Sequence, residues 1–223
     1  MVELMNYPNL KFISLWFKYS FSKYSRYKYI FLEIYKSKPQ TLIEIGVYKG
    51  VRSLEMIELA LNFKKKINFY GFDLFENTSS KKIKKELSKK SLSAKQIKNK
   101  LYKYIDKKNV KVKLIKGDTI NSLKKIKLKK KADFVFIDGG HSIKTIKNDW
   151  KNIQKLTHDD SVVIFDDYYD NDLVSKKFGC KKIIDNLDKN YKYKIYQSSD
   201  FAKISLKQVK NTLVKVTKKI TSK

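Results

Sequence analysis

Three features are missing from this sequence: a pair of cysteines, a long apolar run and a signal-peptide pattern. Cys180 is the single cysteine among 223 residues, which excludes an internal disulfide and is consistent with a reducing compartment. No apolar run approaches the roughly 18 residues of a membrane-spanning helix, and no signal-peptide pattern opens the chain. We therefore expect a soluble, cytoplasmic protein without a membrane span.

Arginine is scarce although the chain is strongly basic. The sequence has 51 Lys and Arg residues against 22 Asp and Glu, a formal net charge of +29, yet only Arg26 and Arg52 are arginine. Dense positive charge is typical of nucleic-acid binding, but arginine is the side chain preferred for phosphate and base edges. The lysines are spread along the whole length among many Ile, Asn, Tyr and Phe, as a bias towards A+T-rich codons would produce. A solvated lysine surface is therefore favoured, and a nucleic-acid or other polyanionic partner is the alternative.

Apolar residues are abundant enough for one α/β domain. They make up 42% of the chain, and aromatic residues make up 13%. From residue 41, short apolar runs alternate with helical stretches, which predicts β-α-β units and a parallel sheet. The predicted strands are 41–46, 67–72, 110–115, 132–137 and 161–165. Two further β-rich runs, 192–197 and 201–206, predict an antiparallel hairpin that closes the sheet.

The segment before the first strand reads as a helical extension, residues 1–40. Helical patterns cover 10–21 and 27–35, and Pro39 ends the second. The apolar positions are too dense for the clean polar face of a helix that lies on a membrane. We expect packing against the sheet or against a second subunit, which would make the protein a homo-oligomer.

The predicted main domain, residues 41–208, contains a lysine-rich insert at 77–108. Ser93 is the predicted N-cap of a helix in this insert. A solvated helical pair is the simplest interpretation, and a lid over the sheet edge is the alternative. The basic tail at 209–223 is predicted to be a frayed helix without a function.

Glycine is rare, with seven residues, so its placement is informative. Those at or just after predicted strand ends are Gly46, Gly50, Gly71, Gly117, Gly139 and Gly140. A ligand or a tight turn at that edge is the physical reason to need backbone freedom there. The first such loop runs from Glu44 through Tyr48 to Gly50 and opens a helix. It favours a nucleotide-type ligand whose polar parts approach the bare backbone at Gly46.

Two acids follow the next strands. Asp73 ends the second strand, 29 residues beyond Glu44, where a carboxylate can accept hydrogen bonds from a ribose diol. Asp118, in Gly117-Asp118-Thr119, ends the third strand and could accept from an adenine amino group. Asp118 could equally cap the following helix.

The fourth and fifth strands deliver Asp138, Asp166 and Asp167 to the same edge. Three converging carboxylates repel one another unless they are protonated or neutralised by a cation. Oxygen ligands favour Mg²⁺, with Ca²⁺ or Mn²⁺ as alternatives, although Asp167 could merely cap the next segment. His141, three residues past Asp138, could be a metal ligand or a general base.

The order of these motifs resembles the class I S-adenosylmethionine-dependent methyltransferases, over roughly residues 38–190. The motifs are Glu-Ile-Gly-Val-Tyr-Lys-Gly at 44–50, Phe-Asp-Leu-Phe at 72–75, Gly-Asp-Thr at 117–119, and Ile-Asp-Gly-Gly-His-Ser at 137–142 followed by Asp149-Trp150. Phe165-Asp166-Asp167-Tyr168 and the run at 179–185 are similar to segments of macrocin-type sugar O-methyltransferases. The branch resembled is therefore the one that includes these enzymes and cephalosporin-hydroxylase-like proteins.

The resemblance implies an α/β fold: a Rossmann-like, seven-stranded, mostly parallel sheet with a C-terminal antiparallel hairpin, helices on both faces and extra N-terminal helices. It places the methionine end of the cofactor at the loop with Glu44, Gly46, Tyr48 and Gly50, the ribose at Asp73, and the adenine near Asp118, with Asp138 also at the cofactor. It further implies a divalent ion, Mg²⁺ first, held by Asp138, Asp166 and Asp167 against the acceptor hydroxyls.

The expected function is transfer of a methyl group from S-adenosylmethionine to a hydroxyl of a sugar or other small polar acceptor, with metal assistance. Macrocin-type enzymes carry a second Asp where Gly140 stands, so His141 and Asp138 are the candidate catalytic residues. Two alternatives stay open. One is methylation of RNA or another polyanion, and the other is a non-catalytic binding module with the same fold.

Overall fold

The protein is described by a computed structural model that covers residues 9–204 and 207–219. Its described strands form one sheet in the order β3-β2-β1-β4-β5-β8-β6, and β7 pairs with β8. The strands are β1 Thr41–Ile45, β2 Ile67–Asp73, β3 Val110–Lys116, β4 Ala132–Ile137, β5 Thr157–Tyr169, β6 Tyr191–Ile195, β7 Phe201–Ile204 and β8 Lys207–Lys218. The first five strands are parallel, as the sequence predicts.

The α-helices of the described residues are α1 Asn9–Ser20, α2 Lys28–Ser37, α3 Val51–Leu61, α4 Ser80–Glu86, α5 Ala94–Tyr104, α6 Thr119–Lys125, α7 Ile143–Leu156, α8 Asp172–Ser175 and α9 Lys181–Ile184. Short 3₁₀ turns lie at Ser25–Tyr27 and Phe75–Asn77. The helices predicted at 10–21 and 27–35 correspond to α1 and α2. None of the described helices is long and apolar enough to cross a membrane.

Strand β1 lies at the centre of the parallel part of the sheet. All five of its residues are buried, and it pairs with β2 on one side and β4 on the other. A strand that is buried on both faces favours a mostly apolar sequence over alternation, and here Leu42, Ile43 and Ile45 are apolar. Thr41 and Glu44 are buried polar residues. The strand order reverses between β1 and β4, so the carboxyl ends of these strands border a crevice where ligands bind in such sheets.

Helices cover both faces of the sheet. On one face, α2, α3 and α5 pack over buried residues such as Phe69 and Phe134. On the other face, Trp150 of α7 packs edge-on against Phe165, with ring centroids 5.6 Å apart. Trp150 is therefore a core residue. This arrangement confirms the predicted fold class.

The predicted C-terminal pairing is wrong in detail. Strands β6 and β7 do not form a hairpin with each other: β6 pairs with β8 inside the sheet, and the hairpin is β7 with β8. The frayed helix predicted at 209–223 is also wrong for 209–218, which belong to β8, whereas 220–223 lie outside the described residues. The physical reason is that β8 lies between β5 and β6, so Leu213 enters one core and Val214 the other.

Candidate active site

A cleft of about 390 Å³ opens at the carboxyl ends of β1, β2, β4 and β5. Most of the predicted site residues line it: Glu44, Gly46, Tyr48, Asp73, Asp118, Asp138, His141 and Asp167. Gly50 and Asp166 lie outside the lining. Residues from the 3₁₀ turn at Ser25–Tyr27 and from the insert complete the walls. The cleft therefore lies at the edge of the sheet where the predicted strand ends place the site residues.

At Gly46, the backbone that follows β1 lies against the backbones at the ends of β2 and β4. Its φ is +93°, and a Cβ there would lie 1.8 Å from the backbone oxygen of Asp138. Its amide donates to the carbonyl of Phe72 at 2.8 Å, and the Asp138 amide donates to the carbonyl of Ile45 at 2.8 Å. Only glycine fits this close approach of three strand ends.

Glu44 is a buried carboxyl at the end of β1, 1% exposed, that accepts a hydrogen bond from the Ser53 hydroxyl. Burial raises the pKa of Glu44 to about 8, against the opposing effects of Ser53 and of the Arg52 charge. A cationic group placed against Glu44 would favour its ionised form. The position is therefore suited to an ammonium.

Asp73 ties three segments together. Its carboxylate accepts from the Tyr48 amide at 2.8 Å, the Phe75 amide at 2.9 Å and the Ser91 hydroxyl at 2.8 Å. The first donor belongs to the loop after β1 and the last to the insert. Asp73 therefore holds the loop and the insert in place around the cleft.

Asp118 caps a helix, one of the two interpretations that the sequence allows. Its carboxylate accepts from the Ile120 amide at 3.0 Å at the start of α6 and from the Lys82 ammonium. Partial burial opposes ionisation of Asp118, but the hydrogen bonds from Lys82 and Ile120, together with nearby lysine charges, outweigh burial and leave the pKa of Asp118 below its ordinary value. Lys82 belongs to α4, so this pair fastens the insert to the sheet edge.

In the second half of the cleft, Asp138, His141 and Asp167 converge. One potential ligand atom from each lies within 4.8 Å of the others. The Nε2 atom of His141 lies 3.1 Å from Oδ2 of Asp167, and its Nδ1 atom lies 3.3 Å from the Tyr169 hydroxyl. Tyr169 also donates to Oδ1 of Asp167 at 2.8 Å. Both ring nitrogens of His141 thus have partners.

The structure does not bring Asp166 into this group. Arg26 donates to both of its carboxylate oxygens, at 2.7 and 2.8 Å, and also to Asp200 at 2.9 Å. Strand β5 is irregular here, since Asp167 has a φ of +62° and the register against β8 shifts between Phe165 and Tyr168. Asp166 therefore bonds to Arg26, whereas Asp167 lies against His141. Of the predicted metal ligands, Asp138 and Asp167 lie together, and His141 rather than Asp166 is their third member.

The second half of the cleft concentrates negative charge. Burial, followed by the nearby charges of Asp166 and Asp167, raises the pKa of Asp138 well above its ordinary value. Within the described residues, the side-chain hydrogen bond to Asp138 is a long contact of 3.4 Å from the Tyr27 hydroxyl. Its carboxylate is therefore open to a ligand in the cleft.

Sequence reasoning did not identify the residues of the N-terminal wall. The ring of Tyr27 lies between two guanidinium groups, 4.4 Å from that of Arg26 and 4.3 Å from that of Arg52. All three line the cleft. A signal was present: a chain with 51 basic residues uses arginine only twice, and both arginines lie here.

The insert covers one side of the cleft. Glu86, at the end of α4, accepts from the Ser142 amide at 3.0 Å, the Ser142 hydroxyl at 3.1 Å and the Thr145 hydroxyl at 3.1 Å. These donors form the first turn of α7, where a carboxylate is favourable. Leu87 and Ser91 of the insert line the cleft, so the insert is a wall of the site rather than a separate solvated pair.

Comparison with known proteins agrees with this geometry. A family model described as a methyltransferase domain matches residues 43–168. The chain belongs to this methyltransferase family. The predicted enzyme class is thereby confirmed. No curated protein sequence matches the chain significantly.

Solved methyltransferases share the fold at low sequence identity. An O-methyltransferase of tomaymycin synthesis from Streptomyces achromogenes, crystallised with S-adenosylmethionine, is 12% identical, covers 94% of this chain and 90% of its own, and has a TM-score of 0.59. An O-methyltransferase from Bacillus cereus with S-adenosylhomocysteine is 13% identical over 94% and 90%, at 0.57. A Podospora anserina methyltransferase with S-adenosylhomocysteine is 17% identical over 94% and 88%, at 0.56.

Proposed function

We propose that this methyltransferase transfers a methyl group from S-adenosylmethionine to a hydroxyl of a small polar acceptor. The observation that carries the proposal is the two-part cleft. Glu44, Gly46 and Asp73 line one part, and Asp138, His141 and Asp167 line the other. The similar structures crystallised with S-adenosylmethionine or S-adenosylhomocysteine support the choice of cofactor.

In the cofactor half, each side chain suits a different part of S-adenosylmethionine. Asp73 would accept from the ribose hydroxyls, and Glu44 would accept from the methionine ammonium. Arg52 would bind the methionine carboxylate, because its Nε is buried without a hydrogen-bond partner in the described structure, beside the same loop. The sulfonium supplies an electrophilic methyl group, and these residues fix its direction towards the second half.

A crossed binding experiment tests these assignments. Asp73→Ala should weaken both S-adenosylmethionine and adenosine, by about 1 to 3 kcal/mol, because both ligands carry the ribose. Arg52→Met should weaken S-adenosylmethionine but leave adenosine unchanged, because adenosine lacks the amino-acid part. Calorimetric titration of each variant with each ligand gives the comparison. Equal losses for both ligands in Arg52→Met would reject the carboxylate role, and unchanged binding in Asp73→Ala would reject the ribose role.

In the acceptor half, Asp138 is the better-placed proton acceptor. The two nitrogens of His141 are held by Asp167 and Tyr169, whereas the Asp138 carboxylate faces the cleft with one long contact. The raised pKa makes the Asp138 carboxylate a stronger base than an ordinary carboxylate. We propose that His141 orients the acceptor half and that Asp138 takes the hydroxyl proton.

The same residues fit a divalent cation. Asp138, His141 and Asp167 offer two carboxylates and an imidazole within 4.8 Å. A cation would offset the burial and the neighbouring negative charges that raise the pKa of Asp138. When bound, such an ion would lower the pKa of the acceptor hydroxyl. An imidazole in the donor set favours Mn²⁺ over Mg²⁺, which prefers all-oxygen ligation.

Titration with Mn²⁺, followed by loss of the free-ion electron paramagnetic resonance signal, tests this site without an acceptor. The wild type should bind Mn²⁺, and Asp167→Asn should lose at least about 1.4 kcal/mol of binding free energy, tenfold in affinity. Asp159→Asn removes an exposed acid outside the cleft and serves as the control. Equal Mn²⁺ binding by all three proteins, or none by the wild type, would remove the ion from the mechanism.

A sugar is the proposed acceptor class. Tyr24 and Tyr27 bring aromatic rings to the second half of the cleft, and Asp138 and Asp167 bring acceptors for hydroxyl groups. Sugars present an apolar face and several hydroxyls, so these are the chemical groups that would recognise one. The resemblance to the macrocin-type branch supports the same class.

A further inference from the structure

The first helix carries apolar side chains on two opposite faces. Leu15 and Tyr19 are each 3% exposed and pack into the protein. The opposite face exposes four large apolar side chains, which we call the α1 stripe: Leu10 (65%), Ile13 (43%), Phe17 (57%) and Phe21 (86%). At about 100° of rotation per residue, these four fall within an arc of about 80°. Phe21 directly follows α1, and its amide still bonds to the Phe17 carbonyl.

The surroundings of the α1 stripe are basic. Among the described residues, Glu55 and Glu58 of α3 form ion pairs with Lys18 and Lys11 of α1. Lys23, just beyond the stripe, is exposed. The whole chain carries a formal charge of +29, so two copies that met through this face would repel each other. An anionic surface is attracted by the same charge, and apolar residues beside lysines are typical of a helix that lies in a membrane interface.

The α1 stripe also ends next to the cleft. Tyr24 follows Phe21 by three positions, is 37% exposed and lines the cleft. A bilayer in contact with the stripe would therefore lie beside the cleft mouth. Since none of the described helices can cross a membrane, such contact would be with the surface.

We propose that the α1 stripe binds the surface of an anionic lipid bilayer, with Phe17 and Phe21 inserted among the acyl chains and the neighbouring lysines facing the headgroups. This proposal concerns α1 alone and does not depend on the methylation chemistry. It offers a bilayer, in place of a second subunit, as the occupant of the face of α1 that does not pack into the protein.

Sedimentation of the full chain with vesicles tests the proposal. Wild-type protein should bind vesicles of phosphatidylcholine and phosphatidylglycerol in equal parts and should bind pure phosphatidylcholine much more weakly. The double variant Phe17→Ser and Phe21→Ser should lose at least about tenfold in partitioning, because its apolar area no longer inserts. The matched control is Tyr104→Ser with Leu173→Ser, which removes two exposed apolar side chains elsewhere, 59% and 61% exposed. It should bind like the wild type.

Three results would overturn the proposal. Wild-type protein could fail to bind the anionic vesicles. The α1 double variant could bind them as well as the wild type, which would assign the binding to lysines alone. Sedimentation velocity without lipid could show a wild-type dimer that the α1 double variant converts to a monomer, which would assign the stripe to a second copy. Circular dichroism checks that all variants are folded.

Discussion

The two halves of the cleft handle their acids in different ways. In the cofactor half, Asp73 is satisfied by two backbone amides and a hydroxyl, so each of its oxygens has donors from nearby loops. In the acceptor half, the carboxylates of Asp138 and Asp167 lie together beside His141, whereas the Arg26 guanidinium pairs with Asp166 and with neither of them. The first half is arranged to hold a ligand by hydrogen bonds. The second half leaves a carboxylate, that of Asp138, open to bind a ligand or a proton.

The largest effect should come from removing the guanidinium that supports the acceptor half. Arg26 is 7% exposed and bridges Asp166 and Asp200. Arg26→Met would leave two buried carboxylates without their partner, so we expect a loss of about 3 to 5 kcal/mol in the free energy of unfolding. Urea denaturation followed by circular dichroism measures it.

The control for Arg26→Met is Lys116→Met, at the end of β3, which breaks an exposed ion pair between Lys116 and Glu76. Exposed pairs contribute little because water screens them, so this variant should unfold close to the wild type. Similar losses in the two variants would mean that the acceptor half does not depend on Arg26, and the contrast between the halves would fail.

The bridge from Arg26 to Asp166 and Asp200 also shows what the sequence alone cannot predict. The strand ends follow from local apolar runs, so Glu44, Asp73 and Asp138 can be assigned to one edge from the order of the residues alone. Arg26 and Asp166 are 140 positions apart, and periodicity contains no information about such a pairing.

Strand β8 escaped prediction for a related reason. Lysines interrupt its apolar residues, so the sequence does not show a clear strand pattern. The strand is explained by its position between β5 and β6, which only the structure shows.

A substitution at Gly46 tests the backbone contact between the two halves of the cleft, where Gly46 lies against Asp138. Gly46→Ala places a Cβ against the Asp138 carbonyl, whereas Gly117→Ala, also at a positive φ, of +127°, meets nothing within 4 Å. Both variants are strained by the left-handed backbone, so their difference isolates the close approach. We expect Gly46→Ala to be less stable by about 1 to 3 kcal/mol more than Gly117→Ala. Thermal and urea unfolding of the pair give the difference. Equal stability would show that the halves are not in tight backbone contact.

A third effect, on the pH dependence of stability, concerns Glu44, a carboxyl of the cofactor half whose buried environment resembles that of the acceptor half. Burial raises its pKa from the ordinary 4.5 to about 8. Between these values the unfolded chain has lost the proton that the folded chain keeps. Stability therefore falls as pH rises through this window, by up to about 1.4 kcal/mol per pH unit.

Glu44→Gln removes this titration, so the stability of the variant should depend less steeply on pH than that of the wild type, with the largest gain near pH 8. Urea unfolding at several pH values between 5 and 8 measures the two slopes. Parallel slopes for the wild type and Glu44→Gln would show that Glu44 is already ionised in the folded protein. In that case Glu44 would be ionised like an ordinary carboxylate, and the acids of the two halves would differ more than the structure implies.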